Sequence, residues 1–201
     1  MDILLIGASG TIGSAIDDAL SAKHSLVRVG RTSGDVHADL SDPASIEALY
    51  DTVDAFDAVV SAAGNAAFNP LLDLSDDDFE LSLSSKLMGQ VNLVRYGLPH
   101  IRTNANPSFT LVSGVLSQEP MPGSAAISMV NSGVEGFARA AALEADGVRV
   151  NVVSPPWVSE TLEAMGEDPS DGLPAATVAK AFVDSVEGDM TGEVIDARDY
   201  V

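Results

Sequence analysis

A chain of 201 residues that is 46% apolar suffices for one domain that buries roughly 70% of its unfolded surface. Its 30 acidic against 10 basic residues give a net charge of -20, a field that repels nucleic acid and anionic membranes, so neither is an expected partner. The absence of cysteine excludes disulfides, thiolate catalysis and sulfur-ligated metals, and without an apolar run near 18 residues or a basic signal-like start the chain reads as soluble and cytoplasmic.

Residues 3 to 6 (ILLI) form a short apolar run, followed by GASGTIG and by SAIDDALSAK, in which Ile16 and Leu20 recur at helical spacing. The pattern predicts strand, tight turn, helix. A second strand, SLVRV, ends at Gly30, and GDVHADL supplies a short third. Asp42 is a suitable N-cap with Pro43 at the first helical position, and Ile46 and Leu49 mark the buried stripe. DAVVSAAG (57 to 64) is a buried strand, followed by a long helix from Ser75 to about Ile101. SFTLVSG is a strand, 124 to 145 a helix, VRVNVVS a strand, 174 to 187 a helix and GEVIDA a last strand. Strands that read as unbroken β-branched runs and alternate with helices predict an α/β fold, a doubly wound parallel sheet of the Rossmann type with three layers in one domain over 1–201. Residues 156 to 173, rich in Pro, Gly, Glu and Asp, read as an irregular, mobile lid or substrate loop.

In such a sheet the ligand lies beyond the carboxyl ends of the strands, where the first turn is found. Gly7, Gly10 and Gly13 permit a sharp turn, close approach of backbone amides to a pyrophosphate, and tight helix packing, with the helix N-terminus facing the phosphate charge. At the end of the second strand an acidic residue would bind a free ribose 2′-hydroxyl. Gly30 and Arg31 stand there instead, and a guanidinium suits a 2′-phosphate, which favours NADP(H) over NAD(H) unless Arg31 merely pairs with a surface carboxylate. Asp39 is positioned for an adenine amino group.

At this point the chain resembles the short-chain dehydrogenase/reductase family over nearly all its length. IGASGTIG matches the glycine turn, ADLSDP the adenine contact, SAAG the turn where the family commonly has Asn-Asn-Ala-Gly, VNSGVEGFARAAALE the long central helix, RVNVVSPPWV the strand and Pro-Gly turn beside the nicotinamide, and MTGEVIDA the terminal strand. The resemblance implies a cofactor set of Gly7, Ser9, Gly10, Thr11, Ile12, Gly13, Arg31, Asp39, Leu40, Ala62, Ala63, Gly64, Pro155 and Val158. It also implies a catalytic Asn, Ser, Tyr and Lys. Here Ile127 occupies the tyrosine slot, Asn131 the lysine slot, Gly114 the serine slot and Lys86 (in KLMG) the asparagine slot. An isobutyl group has no proton to give, whereas a phenol with a pKa near 10 can be tuned toward working pH.

The catalytic candidates are therefore Lys86, Ser113 and Asn131. Desolvation of Lys86 would lower its pKa from about 10.4 and make its ammonium a donor near neutrality; the alternative is an exposed Lys86, or one paired with Asp78 or another carboxylate. Ser113 or Ser128 would relay a proton or hold a carbonyl oxygen, or serve as caps, and Asn131 would keep a hydrogen bond to the nicotinamide ribose. Pro155-Pro156 stands where the family has Pro-Gly, which stiffens that turn and removes a backbone donor. Trp157 packs either on the cofactor or substrate or in the core. His24, His37 and His100 sit on elements that do not converge, so neither a triad nor a metal site is expected.

Two functional classes remain. One is an NADP(H)-dependent oxidoreductase of a small carbonyl or alcohol substrate with a rearranged proton donor; the other is a non-catalytic NADP(H)-binding redox sensor, with elimination or epimerisation on the same fold a lesser possibility. The resemblance implies a homodimer or homotetramer through the two long helices and the last strand. Leu83, Leu87, Val91, Val94 and Phe137 have spacings that suit such a contact, and they suit the intrachain core equally.

Lysine is confined to Lys23, Lys86 and Lys180, which together with the acidic surface reads as adaptation to a high-salt cytoplasm. The thermal unfolding midpoint is expected to rise between low and molar KCl, as salt screens carboxylate repulsion. A midpoint that stays level or falls over that range overturns the halophilic reading.

Overall fold

The computed structural model describes residues 1–103 and 106–201. Seven strands form one parallel sheet in the order β3-β2-β1-β4-β5-β6-β7: β1 (Asp2–Ile6), β2 (Ser25–Gly30), β3 (Val36–His37), β4 (Ala58–Ser61), β5 (Ser108–Val112), β6 (Arg149–Ser154) and β7 (Val194–Asp196). Strand order reverses between β1 and β4, the topological switch of a doubly wound sheet. β4, β5 and β6 are buried along their whole length, as the unbroken apolar runs require when both faces are covered by helices. One face carries Leu4, Ile6, Val59, Phe109, Leu111 and Val150, packed on α2 (Pro43–Thr52), α4 (Gly89–Gly97) and α5 (Ala125–Glu144). The other carries Ile3, Leu5, Val60 and Val153, packed on α1 (Thr11–Leu20) and α7 (Ala175–Glu187). Single-residue alternation along each strand thus feeds two cores.

Helix starts follow local chemistry. Asp42 caps α2 through Ala44 N–H at 3.0 Å with Pro43 in the first turn. Ser75 and Asp78 form a reciprocal capping box at the start of α3 (Asp76–Ser82).

Two expectations need correction. The helix expected from Ser75 to Ile101 is three pieces: α3, a π-helical stretch over Leu83–Met88, and α4, which ends at Gly97. Gly97 lies so close to the Tyr50 ring that a Cβ would stand 2.7 Å from the phenol oxygen, and Pro99 follows two residues later without a backbone donor. Ile101 instead makes an isolated bridge to Phe56. Residues 156 to 173 are not irregular either. They hold α6 (Ser159–Met165) and a 3-10 turn (Pro169–Asp171), tied at the base where Ser159 N–H donates to Leu173 O and Leu173 N–H to Trp157 O, both at 2.8 Å. The Pro, Gly and acidic residues that suggested a loop are the caps and breaks of these short elements.

Among the described residues no helix is long and apolar enough to cross a membrane. Of the residues weighed for a subunit contact, Val94 is core, whereas Leu83 is 41% exposed.

Candidate functional site

Beyond the carboxyl ends of β1, β2 and β4 lies a cleft of about 330 Å³ lined by Gly7, Ser9, Gly10, Gly30, Arg31, Asp39, Leu40, Ala62, Ala63 and Gly64, with Asn65 and Ser85 at its end. Its glycines are of two kinds. Gly7 has φ of +82°, and a Cβ there would stand 2.8 Å from the Ala63 Cβ; at Gly13 a Cβ would overlap the Gly7 carbonyl. Both are dictated by the chain's own packing. Gly10 is different: its φ of -80° is ordinary, and the nearest atom to a Cβ there is 3.4 Å away. Nothing in the protein requires a glycine at that point, which is the N-cap of α1 and supplies no side-chain cap. Without a side-chain cap the first-turn N–H groups of α1 have no intrahelical partner, an arrangement that fits a dinucleotide pyrophosphate beside Gly10, although Thr11, Ile12 and Gly13 themselves do not line the cleft.

At the β2 end of the cleft Arg31 is exposed and, among the described residues, forms no ion pair within 4 Å. The neighbouring Arg28, by contrast, is engaged with Asp17 at 2.6 Å. Ser33 Oγ donates to Ser9 Oγ at 3.2 Å beside it. Asp39 accepts from both the N–H and the hydroxyl of Ser41, which hold its carboxyl below the usual range, with the Arg31 charge a minor contributor. That carboxylate is turned in part to its own loop. Leu40 packs on α4, where a Cβ on Gly89 would be 2.9 Å from the Leu40 Cβ.

The Ala62-Ala63-Gly64 turn is held from the opposite side. Gln90 Nε2 donates to Ala63 O at 2.7 Å, and Ser85 Oγ accepts from Asn65 N–H at 3.1 Å. Gly64 has φ of +118°, and a Cβ on it would stand 3.0 Å from Lys86 Cδ. The π-helical turn, a feature that often marks functional sites, thus lays the Lys86 stem against the end of β4. Lys86 is 7% exposed and, among the described residues, its amine has neither a hydrogen-bond partner nor a carboxylate within 4 Å. Burial alone lowers its pKa to about 8. Asp78, the alternative partner, is occupied by its capping box.

A second, smaller pocket of about 150 Å³ opens at the ends of β5 and β6, lined by Ser113, Gly114, Val115, Leu116, Ile127, Asn131 and Pro155-Pro156-Trp157. Its walls are mainly apolar. Ile127 and Asn131, one helical turn apart on α5, both face it. Asn131 Nδ2 lies 3.4 Å from Gly114 O, and its Oδ1 is buried without a partner. Ser113 Oγ donates to Glu135 Oε1 on α5 at 2.9 Å. Trp157 stands edge-on to Phe68, with ring centroids 5.8 Å apart, at the mouth.

Of the residues named from sequence, the first cleft gathers Gly7, Ser9, Gly10, Arg31, Asp39, Leu40, Ala62, Ala63 and Gly64, and the second gathers Ser113, Asn131 and Pro155. Lys86 lines neither wall but adjoins Gly64. Val158 is not brought to either; it is 5% exposed, packed in the core and bridged to Leu173. Ser128 donates to Ser124 Oγ at 2.9 Å, a helix-start contact. His24 meets Glu187 and His100 stacks on Tyr50, and no group of three or more His, Asp or Glu with metal-binding geometry occurs among the described residues. Sequence reading missed Ser85, Asn65, Phe68 and Glu135. Glu135 had a signal: a carboxylate one turn after Asn131 on the face that carries Val130 and Val134.

Comparison with known proteins agrees with this geometry. The family model described as Enoyl-(Acyl carrier protein) reductase matches residues 11–193. The chain is 27% identical over 164 residues to the hydroxynaphthalene reductase of Aspergillus fumigatus, covering 78% of this chain and 59% of the relative. It is 28% identical over 176 residues to the cis-4-hydroxycyclohexanecarboxylate dehydrogenase of Sinomonas cyclohexanicum, covering 84% and 68%. The matches thus span little more than half to two thirds of these curated relatives' length. Among solved structures, a Listeria innocua protein is 41% identical with a TM-score of 0.92 over 98% of both chains. A small-chain dehydrogenase in complex with NADPH shares the fold at a TM-score of 0.86 and 23% identity, over 98% of this chain and 95% of its own. With the family model spanning nearly the whole chain and the glycine-cradled sheet in place, the protein belongs to the short-chain dehydrogenase/reductase family.

Proposed function

We propose that the protein is an NADP(H)-dependent oxidoreductase that interconverts a small carbonyl compound and its alcohol, with Lys86 in the place of the usual tyrosine acid. The observation that carries this reading is the largely buried Lys86 side chain against Gly64, its amine without a hydrogen-bond partner among the described residues, beside a cleft that fits a dinucleotide. The NADPH found with one structural neighbour, and the reductase and dehydrogenase names of the curated relatives, support the same class.

The cofactor supplies hydride chemistry when bound. This chain's residues hold and orient it. Open N–H groups of Thr11, Ile12 and Gly13 and the α1 dipole face the pyrophosphate, and Asp39 and Leu40 flank the adenine. Arg31, free of a carboxylate partner, suits the 2′-phosphate. The unpaired Asn131 Oδ1 accepts from a ribose hydroxyl, which removes the cost of leaving that oxygen buried and unsatisfied. Pro155, Pro156 and Trp157 exclude water on one side of the small pocket, and the helical segment after Trp157 acts as its lid. Lys86, with a pKa of about 8, gives a proton to the substrate oxygen in reduction and takes one in oxidation. A homodimer or homotetramer through the two long helical regions and the last strand is part of the proposal, with Leu83 and Met88 exposed on the π-helical stretch that leads into α4.

The test is a paired fluorescence titration with NADPH and NADH in molar KCl. NADPH is expected to bind about 10-fold or more tightly than NADH, and Arg31→Ala to erase that preference, as expected for a charge-assisted hydrogen bond. Equal affinities in the wild type overturn the NADP(H) assignment, and binding of neither cofactor overturns the oxidoreductase.

Ile127 in the pocket wall favours a second reading, a binding protein that senses NADP(H) redox state. Its mark is a different affinity for NADPH and NADP+ together with a cofactor-dependent change in assembly and no turnover.

A further inference from the structure

Glu135 is a buried carboxylate that the mechanism above leaves unused. It is 4% exposed, on the face of α5 turned to the end of β5. Its Oε1 accepts from Ser113 Oγ at 2.9 Å and from Ser117 Oγ at 2.6 Å, and Arg139 Nη2 stands 3.9 Å from its Oε2. A carboxylate buried without compensation is costly, and two hydroxyls and a guanidinium supply the compensation here. The arrangement has a directional consequence. A carboxylate only accepts hydrogen bonds, so both serine hydroxyls must point their protons into it.

Ser113 is at the same time a wall of the small apolar pocket. With its one proton committed to Glu135, its oxygen has only lone pairs left to offer a ligand. A lone pair receives a hydroxyl, which has a proton to donate, and meets a ketone oxygen with repulsion. Of the other groups on that wall, Val115, Leu116, Ile127 and Trp157 are apolar, the Asn131 Nδ2 donor is directed to Gly114 O at 3.4 Å, and neither member of the Pro155-Pro156 pair has a backbone N–H to offer.

We propose that Glu135 is a positioning residue that fixes Ser113 as an acceptor and so makes this pocket select a small, mainly apolar secondary alcohol over the matching ketone. The inference rests on the oxidoreductase reading of the pocket and adds to it which partner of the redox pair the free site prefers.

Trp157 is the chain's single tryptophan and lines the pocket, so its emission reports occupancy without any turnover. The probes are cyclohexanol and cyclohexanone, matched in size. In the wild type cyclohexanol is expected to bind about 5–10-fold more tightly, the worth of one neutral hydrogen bond. Glu135→Met removes the acceptor, frees the Ser113 hydroxyl to turn its proton into the pocket, and is expected to bring the alcohol-to-ketone ratio to about one or below. Ser113→Ala is expected to abolish the preference by itself. Glu135→Met added to Ser113→Ala should then change the ratio no further, a result that mere loss of packing would not give. An equal or ketone-favouring ratio in the wild type, a ratio unchanged by Glu135→Met, or no Trp157 response to either probe each overturns the inference. NADPH titration of the same proteins separates the two failures, since its loss in the wild type would sink the oxidoreductase reading, and retained binding with a flat ratio would sink only the role of Glu135.

Discussion

Replacing Lys86 by methionine is expected to lower turnover by a factor of about 10²–10⁴, the usual contribution of a positioned general acid, while NADPH affinity changes by less than about twofold. Methionine keeps the unbranched stem against Gly64 and removes the amine, which has no partner to lose among the described residues. The variant should therefore fold about as stably as the wild type, because it keeps the stem packing and breaks no hydrogen bond or ion pair found among the described residues. The pH profile carries the sharper sign. Burial lowers the Lys86 pKa to about 8, so the donating ammonium is present below that pH and is lost above it. Rates of carbonyl reduction should fall as pH rises through about 8, and rates of alcohol oxidation should rise over the same interval. Both limbs should vanish in Lys86→Met. Steady-state kinetics on cyclohexanone and cyclohexanol measure this, and equal rates in the two proteins would remove Lys86 from the mechanism.

The two glycines of the first turn should separate folding from binding. Gly13→Ala places a Cβ on the Gly7 carbonyl oxygen, and neither backbone can yield without dismantling the turn. A loss of about 3 kcal/mol or more is expected, at the upper end of overpacking costs. For a chain of this size that corresponds to a fall in Tm of roughly 6–12 °C. Gly10→Ala meets only Gly7 O at 3.4 Å and should shift Tm by less than about 2 °C. Its methyl group nevertheless enters the space over the α1 N-terminus, and NADPH affinity is expected to drop about 10–100-fold, the scale of one or two charge-assisted bonds. Calorimetry and cofactor titration of the pair test this, and a Gly10→Ala protein that binds NADPH like the wild type would refute the pyrophosphate position.

Much of this site was legible before any coordinates. The first turn could be read because its glycines sit between an apolar run and a helical pattern, a local arrangement independent of distant residues. That Ile127 and Asn131 face the same pocket was legible for a similar reason: one turn of a single helix carries both onto one face. The fate of Val158 was not. Whether it turned to the cofactor or to the core depended on the bridge to Leu173, fifteen residues away, which pulls it inward. Ser113 had the right address but not the right direction, since its hydroxyl follows Glu135, a partner on another element.

Composition, the strand and helix periods and the glycine spacing by themselves determined the sheet, its doubly wound character and the place of the glycine-lined cleft. These follow from which residues are apolar and which lack a side chain, and both are properties of the chain alone. Tertiary structure alone decided the state of the polar groups: that Lys86 is buried against Gly64 and Arg31 stands apart, each without a partner among the described residues, that Arg28 is paired, and that Glu135 takes both serine protons. Hydrogen bonds and pKa shifts depend on a few ångströms between residues far apart in sequence, and no pattern along the chain encodes that distance.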